Sequence, residues 1–522
     1  MLASKFNIVP VIKSYTGDML TPVGALLSLR GDSTVLAQEG ISGSSTPCDD
    51  RLFLFESVEH SNRWGRYSFV GLNPLSTYVS RGFDVACEGK AIDDVPLDKG
   101  MLCTLDSIVN TFSPPANVWN FQQDDYPGLI SGMLGYLGYD VVREIEQLGS
   151  PPCDDLDVPD AIMSVVGDVI VFDHFRQQMF IVSNTFIESG PNANMEMSYH
   201  RAIDRIASIE EKLRNPISAR TDFFLPTPQV FDAAEIFSRV RRRMSADQFE
   251  LAVRTAKEHI FSGNAFQIVL SQRFDLSGHC DPLLAYRYLR QVNPSPYMFV
   301  LANKEVTLVG SSPEPLVKLQ NSKVISRPIA GTRRRGSTIV EDQRLGAELK
   351  EDPKELAEHT MLVDLARNDI GRVCEFGTER VEELMTLEHY SHVMHLTSQV
   401  SGTICSDKTS VDLLRATLPA GTVSGAPKVS AMKIIDELEV SKRGPYAGVV
   451  GYLDFNRNLD TAITIRTMCF DKGGNVSVQA GAGIVADSDP ELEDRECCNK
   501  ATALLAAAIN AIKAQEQLEQ QL

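Results

Sequence analysis

Short runs of branched and aromatic residues alternate with turns along the first 206 residues, and this alternation most constrains the fold. Examples lie at residues 52–55, 169–172 and 179–182. Runs of this kind, bounded by turn residues, are typical of β-strands. Strand-like and helical segments then continue to the end, with no internal repeat. The mixture predicts an α+β or α/β protein of enzyme size and excludes a string of small modules.

An irregular stretch from Arg214 to Gln229 holds three prolines and is the predicted boundary within the chain. It separates a part spanning residues 1–225 from a part spanning residues 235–515. Residues 38–50 are rich in Gly, Ser and Thr and are expected to form an exposed loop with no assigned role.

Two local signals concern helix ends. Ser245 is followed three residues later by Gln248, which is the spacing of a capping box at a helix start. The Gln- and Glu-rich tail after Ala514 is expected to fray.

The chain is acidic, and its charge excludes one class of function. Its 522 residues include 50 Lys and Arg against 69 Asp and Glu, for a net charge of −19. Nonspecific nucleic-acid binding needs a basic surface, so we expect no nucleic-acid partner. If the substrate is an anion, local positive groups must offset this total.

The cysteines and the apolar stretches predict a reduced, cytoplasmic protein. The ten cysteines are sparse and form no C-x-x-C pair. The first residues contain no apolar signal region. The most apolar late stretch, at residues 501–512, is too short to span a bilayer, so we expect no membrane association.

Two predicted helices carry carboxylates on stripes of otherwise apolar residues. On a helix from about Pro353 to Ile370, Glu358 shares its face with three apolar residues. On a helix that begins near Pro490, Glu496 and Lys500 lie four residues apart. The spacing allows a solvated face with a Glu496–Lys500 ion pair, or a Mg²⁺ site completed by substrate oxygens. Spacing alone does not decide between them.

Gly-rich segments and a set of histidines invite further interpretations. The Gly-rich run at 479–485 lets backbone N–H groups approach an anion closely. The run at 422–428 lacks the G-K-[ST] ending of a phosphate loop, so we exclude nucleotide binding there.

Three histidines recur every third residue, at His389, His392 and His395. This spacing disperses them around a helix or alternates them on a strand, so a zinc site is disfavoured. Flanking apolar residues place His395 inside, as a core residue or a general acid or base.

Many ordered motifs resemble the chorismate-utilising enzyme family, and in particular the large subunits of anthranilate synthases. The motifs lie at Phe266–Val269, Asn293–Phe299, Ser312–Glu314, Pro328–Arg333, Glu358–Asp369, Val393–His395, Gly421–Thr422, Ser424–Lys428 and Gly481–Gly483. The resemblance implies an α+β fold of two interlocked parts, built on orthogonally packed antiparallel β-sheets flanked by helices. The first part would be regulatory, and the second would bind chorismate and carry the catalysis.

By motif match, the resemblance implies a site for each step of the reaction. Glu358 and Glu496 would bind Mg²⁺, which holds the ring carboxylate of chorismate. Glu314 would protonate the departing C4 hydroxyl, and His395 would assist proton transfer as the enolpyruvyl group leaves as pyruvate. Lys500 would add a positive charge. The implied substrate contacts are Gly331, Thr332, Thr422, Tyr446, Arg466, Gly481, Ala482 and Gly483.

Two positions distinguish this chain from relatives that run other reactions. Water-adding members of the family carry Lys as a base where this chain has Gln267, and an amide cannot deprotonate water at neutral pH. Aminodeoxychorismate synthases often carry a nucleophilic Lys where this chain has Ala330. One departure is Arg334, where the family usually has Pro, and we expect it to add charge near the substrate.

The resemblance also implies partners and an inhibitor. The chain has no Gly-x-Cys-x-Gly nucleophile turn, so ammonia would come from a separate glutamine amidotransferase subunit in a hetero-oligomer. Two N-terminal segments, Leu54–Ser57 and Arg63–Phe69, match motifs of the family's regulatory region. The implied L-tryptophan pocket comprises Glu56, Ser57, Arg66, Pro296, Tyr297, Met298, Val450 and Tyr452.

The sequence therefore predicts the large subunit of an anthranilate synthase, feedback-inhibited by tryptophan, in the first step of tryptophan biosynthesis. The nearest alternatives are an aminodeoxychorismate or 2-amino-2-deoxyisochorismate synthase. An alternative of another class is a non-catalytic regulator that binds chorismate or tryptophan. The retained Glu314 argues against it, because a sensor has no need of a leaving-group acid.

Overall fold

The structure is a computed structural model that describes residues 7–30, 51–57, 65–114, 127–187, 194–214, 222–390 and 393–521. The loop at 38–50, Pro216, His392, and Arg63 and Trp64 of the second N-terminal motif lie outside the described residues.

The strands of the described chain form two sheets. In chain order they are β1 (Ile8–Thr16), β2 (Phe53–Glu56), β3 (Tyr67–Leu72), β4 (Ser76–Arg81), β5 (Asp84–Gly89), β6 (Gly132–Leu137), β7 (Ala161–Val165), β8 (Asp168–Asp173), β9 (Gln178–Phe186), β10 (Val240–Arg242), β11 (Gln267–Leu276), β12 (Tyr297–Ala302), β13 (Thr307–Ser312), β14 (Pro315–Gln320), β15 (Lys323–Ser326), β16 (Ile329–Arg334), β17 (Arg380–His389), β18 (Val393–Thr403), β19 (Gly425–Ala426), β20 (Val449–Asp454), β21 (Leu459–Ile463), β22 (Thr467–Phe470) and β23 (Val476–Ile484). The first sheet has the order β1-β9-β8-β3-β2-β12-β13-β22-β23-β11-β10, with β19 beside β11. The second has the order β16-β18-β15-β14-β21-β20-β6-β7-β4-β5, with β17 beside β18.

Helices flank these sheets. They are α1 (Pro22–Arg30), α2 (Met101–Thr111), α3 (Met195–Arg214), α4 (Ala233–Phe237), α5 (Ala246–Phe261), α6 (Pro282–Val292), α7 (Ile339–Glu351), α8 (Pro353–Gly371), α9 (Ser410–Thr417), α10 (Gly421–Ser424), α11 (Lys428–Leu438) and α12 (Pro490–Gln521), with a 3-10 helix at Tyr139–Glu144. Among the described residues, no helix is both long and apolar enough to cross a membrane.

Both sheets combine strands from the two sides of the predicted boundary. In the first sheet β2 pairs with β12, and in the second β6 pairs with β20. All pairings between the named strands are antiparallel. This confirms the α+β expectation with interlocked antiparallel sheets, and it removes the α/β alternative, whose strands would run parallel.

A hydrophobic cluster lies between the two sheets. It combines Phe69 and Phe299 of the first sheet with Leu134 and Val450 of the second. Two other large clusters pack helices against the sheets. The alternation of apolar residues along the strands explains this arrangement, because successive side chains point to opposite faces of a sheet.

Most of the predicted elements are present. The runs at 52–55, 169–172 and 179–182 fall in β2, β8 and β9, and the capping box of Ser245 and Gln248 starts α5. The expected fraying of the C-terminal tail is wrong, because α12 continues to Gln521. Leu518 packs against the core, so the tail keeps an apolar anchor despite its polar composition.

Candidate active site

Helix α8 brings Glu358 against the first residue of β11. The Asp352 side chain accepts hydrogen bonds from the N–H groups of Lys354 and Glu355, which fixes the helix start. One turn later, Glu358 Oε1 accepts a hydrogen bond from Gln267 Nε2 at 2.9 Å. Burial raises the pKa of Glu358, and the hydrogen bond from Gln267 opposes this rise. The hydrogen bond to the Glu358 carboxylate therefore fixes the orientation of the Gln267 amide.

Helix α12 carries the second carboxylate, Glu496. The intrahelical ion pair that the spacing allowed is present, with Lys500 Nζ at 2.6 Å from Glu496 Oε1. The same ammonium donates to the Gly481 carbonyl oxygen at 2.9 Å. The Glu496 side chain is still 48% exposed, so the pair leaves it accessible to a ligand. The ion-pair and metal interpretations are thus not exclusive.

Two further carboxylates lie near this pair of helices. The negative charges of Glu355 and Glu496 raise the pKa of Glu358. Burial raises the pKa of Glu493, and the charge of Glu496 raises it further. The sequence interpretation gave Glu355 and Glu493 no role. Each precedes a predicted ligand by three residues, so helical spacing was the signal that could have found it.

The chemistry of these carboxylates fits a hard divalent cation. Mg²⁺ prefers carboxylate oxygens in small number and keeps sites for water or substrate. Burial, and to a smaller extent neighbouring carboxylates, raises the pKa of Glu358 and of Glu493, and a bound cation would favour their charged forms. No group of three His, Cys, Asp or Glu side chains in the described chain is arranged as a complete metal site. The side chains that could contribute oxygens to such a cation are Glu358 and Glu496.

Glu314 lies between β13 and β14, where its environment keeps it protonated. Its backbone carbonyl accepts a hydrogen bond from the Ile463 N–H at 3.0 Å, and the residue is only 9% exposed. Burial raises the pKa of Glu314 to about 8, although the Thr422 hydroxyl and the Lys500 ammonium oppose the rise. A carboxyl that is neutral at pH 7 can act as a general acid.

His395 lies on β18, opposite the turn that contains Gly331 and Thr332. Its Nδ1 is 3.2 Å from the Gly331 carbonyl oxygen and 2.9 Å from Thr332 Oγ1. The carbonyl contact favours the tautomer with the proton on Nδ1, which leaves Nε2 as the basic nitrogen. Burial lowers the pKa of His395, and the charge of Arg466 lowers it further. The ring is therefore neutral at pH 7, and it is half-buried, whereas its apolar neighbours predicted a residue fully inside.

Of the other two histidines, only His389 lies within the described residues. His389 is exposed, and its Nδ1 is 3.5 Å from Asp342 Oδ2. His389 is thus a surface residue beside a carboxylate. His392 lies outside the described residues.

Arg466 and Tyr446 form the wall next to Lys500. Arg466 Nη1 donates to the Lys500 carbonyl oxygen at 2.9 Å. Arg466 has φ of 51°, a left-handed conformation that strains a residue with a side chain. Burial lowers the pKa of Arg466 and raises that of Tyr446. Both side chains are therefore shielded from water. In this environment their hydrogen bonds to a ligand would be stronger than in water.

The small residues of β23 permit close packing around this wall. A Cβ atom on Gly481 would lie 2.7 Å from the Tyr446 hydroxyl, and one on Gly483 would lie 2.6 Å from Gln267 Nε2. The methyl group of Ala482 is buried in the core, so only its backbone can contact a ligand. The Gly-rich run is therefore part of a strand and not the loop that its composition suggested, and its small residues leave room for close packing.

Arg334 does not place its charge near the site. Its guanidinium is 66% exposed and forms an ion pair with Glu341. The expectation of added charge near the substrate is therefore wrong. The residue stays in the β16–β18 pairing opposite Val393, so its backbone is extended.

Residues 89–506 of the chain match the family described as chorismate binding enzyme. The chain belongs to the chorismate binding enzyme family. This confirms the resemblance that the ordered motifs predicted.

Individual relatives in this family cover nearly the whole chain. Anthranilate synthase component 1 of Acetivibrio thermocellus is 42% identical over 507 residues, 97% of this chain and 96% of that protein. Anthranilate synthase alpha subunit 2, chloroplastic, of Arabidopsis thaliana is 39% identical over 97% of this chain and 82% of its own. The crystal structure of anthranilate synthase component I from Streptococcus pneumoniae TIGR4 has a TM-score of 0.73 and 33% identity, and the match covers 94% and 98% of the two chains.

Besides the candidate active site, this member of the chorismate binding enzyme family has a cavity of about 270 Å³, which residues of both sheets line and which we call the second cavity. The structure brings together all eight residues of the predicted tryptophan pocket: Glu56, Ser57, Arg66, Pro296, Tyr297, Met298, Val450 and Tyr452. Aromatic walls and a few polar groups suit a small amphipathic ligand. The identity of that ligand stays a prediction.

The polar groups of the second cavity are held in place by neighbours. Glu56 Oε1 accepts hydrogen bonds from the Tyr286 hydroxyl and from Arg290 Nε, the latter at 2.8 Å. On another wall, Asp460 accepts a hydrogen bond from Tyr297 at 3.1 Å. Asp460 was absent from the sequence prediction, because strand pairing and not a local motif brings it to the cavity.

Proposed function

We propose that this protein is the large subunit of an anthranilate synthase, which converts chorismate and ammonia to anthranilate and pyruvate. The observation that carries the proposal is the near full-length similarity to anthranilate synthase component 1 proteins. Gln267 supports the same branch, because its amide is hydrogen-bonded to Glu358 and cannot activate water as a base. Ammonia is already nucleophilic and needs no such base.

Chorismate would bind between α8, α12 and β23. Glu358 and Glu496 would hold Mg²⁺, which would supply a positive charge for the ring carboxylate. Arg466 suits a carboxylate because a guanidinium can donate two parallel hydrogen bonds. Thr422, Tyr446 and the backbone of residues 481–483 would complete the contacts, with Gly331 and Thr332 on the His395 side.

Glu314 and His395 would serve successive steps. Ammonia forms a bond to C2, the ring double bonds shift, and the C4–O bond breaks as Glu314 donates a proton, so water leaves. A C2 proton is then removed, the C3–O bond breaks, and the enolpyruvyl group leaves and becomes pyruvate on protonation. His395 would assist proton transfer in this second step, because its neutral ring can accept a proton at Nε2.

The protein would work with a partner and respond to an inhibitor. The sequence has no Gly-x-Cys-x-Gly nucleophile turn, and a glutamine amidotransferase subunit would supply ammonia. L-tryptophan would bind in the second cavity, with its amino group near Glu56 and its indole against the aromatic walls. We place this complex in the cytoplasm.

The test is an assay of the full chain with chorismate, Mg²⁺ and ammonium at alkaline pH. We expect anthranilate fluorescence and pyruvate to appear in equal amounts, with no activity on glutamine unless the partner is added. An amine product without pyruvate would instead indicate an aminodeoxy synthase. Chorismate binding without turnover would indicate a regulator and would overturn the proposal.

A further inference from the structure

A buried ion pair lies beneath the candidate active site. Glu439 directly follows α11, and Arg443 lies four residues later. Their side chains are 4% and 2% exposed. Arg443 Nε donates to Glu439 Oε2 at 2.9 Å, and Nη2 donates to Oε1 at 2.6 Å. Burying two charges costs more free energy than such a pair usually returns, so stability alone explains its presence poorly.

The other donors of Arg443 hold two backbone segments of the site. Nη1 donates to the Val423 carbonyl oxygen at 2.7 Å, and Nη2 donates to the Val269 carbonyl oxygen at 2.7 Å. Val423 follows Thr422, and Val269 lies two residues after Gln267. One rigid guanidinium therefore sets the distance between α10 and β11.

Glu439 extends the same network to β23. Its Oε1 accepts hydrogen bonds from the Ser271 N–H at 2.8 Å and from Ser271 Oγ at 2.9 Å. Ser271 is directly opposite Gly481 in the β11–β23 pairing. Gln479 Nε2 in turn donates to Ser271 Oγ at 2.8 Å. The carboxylate thus holds β11 at the position that pairs with Gly481 of β23.

The guanidinium also contacts two tyrosine rings. It lies 4.6 Å from the ring centroid of Tyr139 and 5.7 Å from that of Tyr446, within the range of a cation–π contact. The Tyr446 N–H donates to the Arg443 carbonyl oxygen at 3.2 Å. The ring that approaches Gly481 is therefore held from behind by the same residue.

We propose that Glu439 and Arg443 are positioning residues that hold the backbone segments of the chorismate site in one fixed arrangement. The proposal rests on the substrate contacts proposed above. Neither residue touches the substrate, because both are buried behind the strands that do. A guanidinium suits the role better than an ammonium, because its planar fork reaches three acceptors at once.

The test compares Glu439→Gln and Arg443→Lys with a matched control, Asp436→Asn, in the full chain. Asp436 lies on α11, three residues before Glu439, and pairs with Arg143 at 2.8 Å, with the two side chains 8% and 18% exposed. The other hydrogen bonds of Arg143 go to Asp140 and Gly149, which are not among the proposed substrate contacts. Thermal unfolding, KM for chorismate and kcat are measured for each variant with ammonium as nitrogen source. We expect the two test variants to raise KM and lower kcat by about tenfold or more each, because small displacements of binding groups are costly. Asp436→Asn should lower only the unfolding temperature.

Wild-type KM and kcat in both folded test variants would overturn the proposal. If Arg443→Lys does not fold, Glu439→Gln decides alone, because it keeps the side-chain shape and Oε1 as acceptor while it removes the negative charge opposite Arg443 and replaces the acceptor at Oε2 by a donor. Thr422→Val and Tyr446→Phe separate this failure from a failure of the proposed site. If they raise KM while Glu439→Gln does not, the positioning role is wrong; if they leave KM unchanged, the assigned contacts are wrong.

Discussion

The pKa of Glu314 leads to a quantitative prediction about rate and pH. Burial raises this pKa from the ordinary 4.5 to about 8. At pH 7 the protonated fraction is then about 0.9, whereas a carboxyl with the ordinary value would be protonated to about 0.003. Burial therefore makes the acid available about 300-fold more often at neutral pH. Above pH 8 the proton is lost, so kcat should fall about tenfold for each further pH unit.

The perturbation is Glu314→Gln, which keeps the size of the side chain and removes its proton. We expect kcat to fall by about 10²-fold to 10⁴-fold, the usual contribution of a general acid. The alkaline fall in kcat should disappear as well, since the titrating group is gone. Thr422→Val makes a second, opposite test, because the hydroxyl lowers the pKa of Glu314. In Thr422→Val, the fall in kcat at high pH should begin at a higher pH than in the unmodified protein.

The assay follows anthranilate fluorescence from pH 6.5 to 10 at saturating chorismate and Mg²⁺. Free ammonia increases with pH, so saturation by ammonium is established separately at each pH. Product analysis of Glu314→Gln shows whether chorismate is left unchanged, as expected for a block before water leaves. An alkaline limb that persists in Glu314→Gln, or a near-normal kcat in that variant, would refute the assignment of Glu314 as the acid.

Three further predictions concern stability, metal and inhibitor. Because the folded-state pKa of Glu314 is raised, its stabilising contribution is present below about pH 4.5 and is lost as the pH rises through about 8. In a plot of unfolding temperature against pH, Glu314→Gln should remove the decline over this range. An unchanged plot would contradict the burial argument. Glu358→Gln should weaken Mg²⁺ activation by about tenfold or more while Glu348→Gln, on α7, does not, measured as rate against Mg²⁺ concentration. Ser57→Arg should fill the second cavity and abolish tryptophan inhibition with kcat retained. The measurement is rate against tryptophan concentration, and a curve equal to that of the unmodified protein would contradict the pocket assignment.

Local sequence signals predicted the elements better than they predicted the contacts between them. The capping box at Ser245 and the carboxylate stripe on α8 follow from residues within one or two helical turns. The Arg443 network was not predictable in this way, because its acceptors lie 20 and 174 residues away along the chain. Arg334 was misjudged for a different reason, since its partner Glu341 is only seven residues away but lies on the next element, α7, and the guanidinium that it pairs with is 66% exposed. Family motifs supplied the long-range groupings that periodicity could not.

The acidic total of the chain poses a conflict that Lys500 resolves locally. A dicarboxylate substrate needs positive charge at the site, whereas a protonated Glu314 needs little of it nearby, because a cation lowers the pKa of a carboxyl. Lys500 is held by the Glu496 carboxylate at 2.6 Å and by the Gly481 carbonyl, and both reduce its field at Glu314. The chain can therefore keep a cation beside the substrate path without losing its acid. Glu496 therefore holds the ammonium whose charge opposes the rise in the pKa of Glu314, and this gives the half-exposed carboxylate a structural role beside its proposed role at a metal.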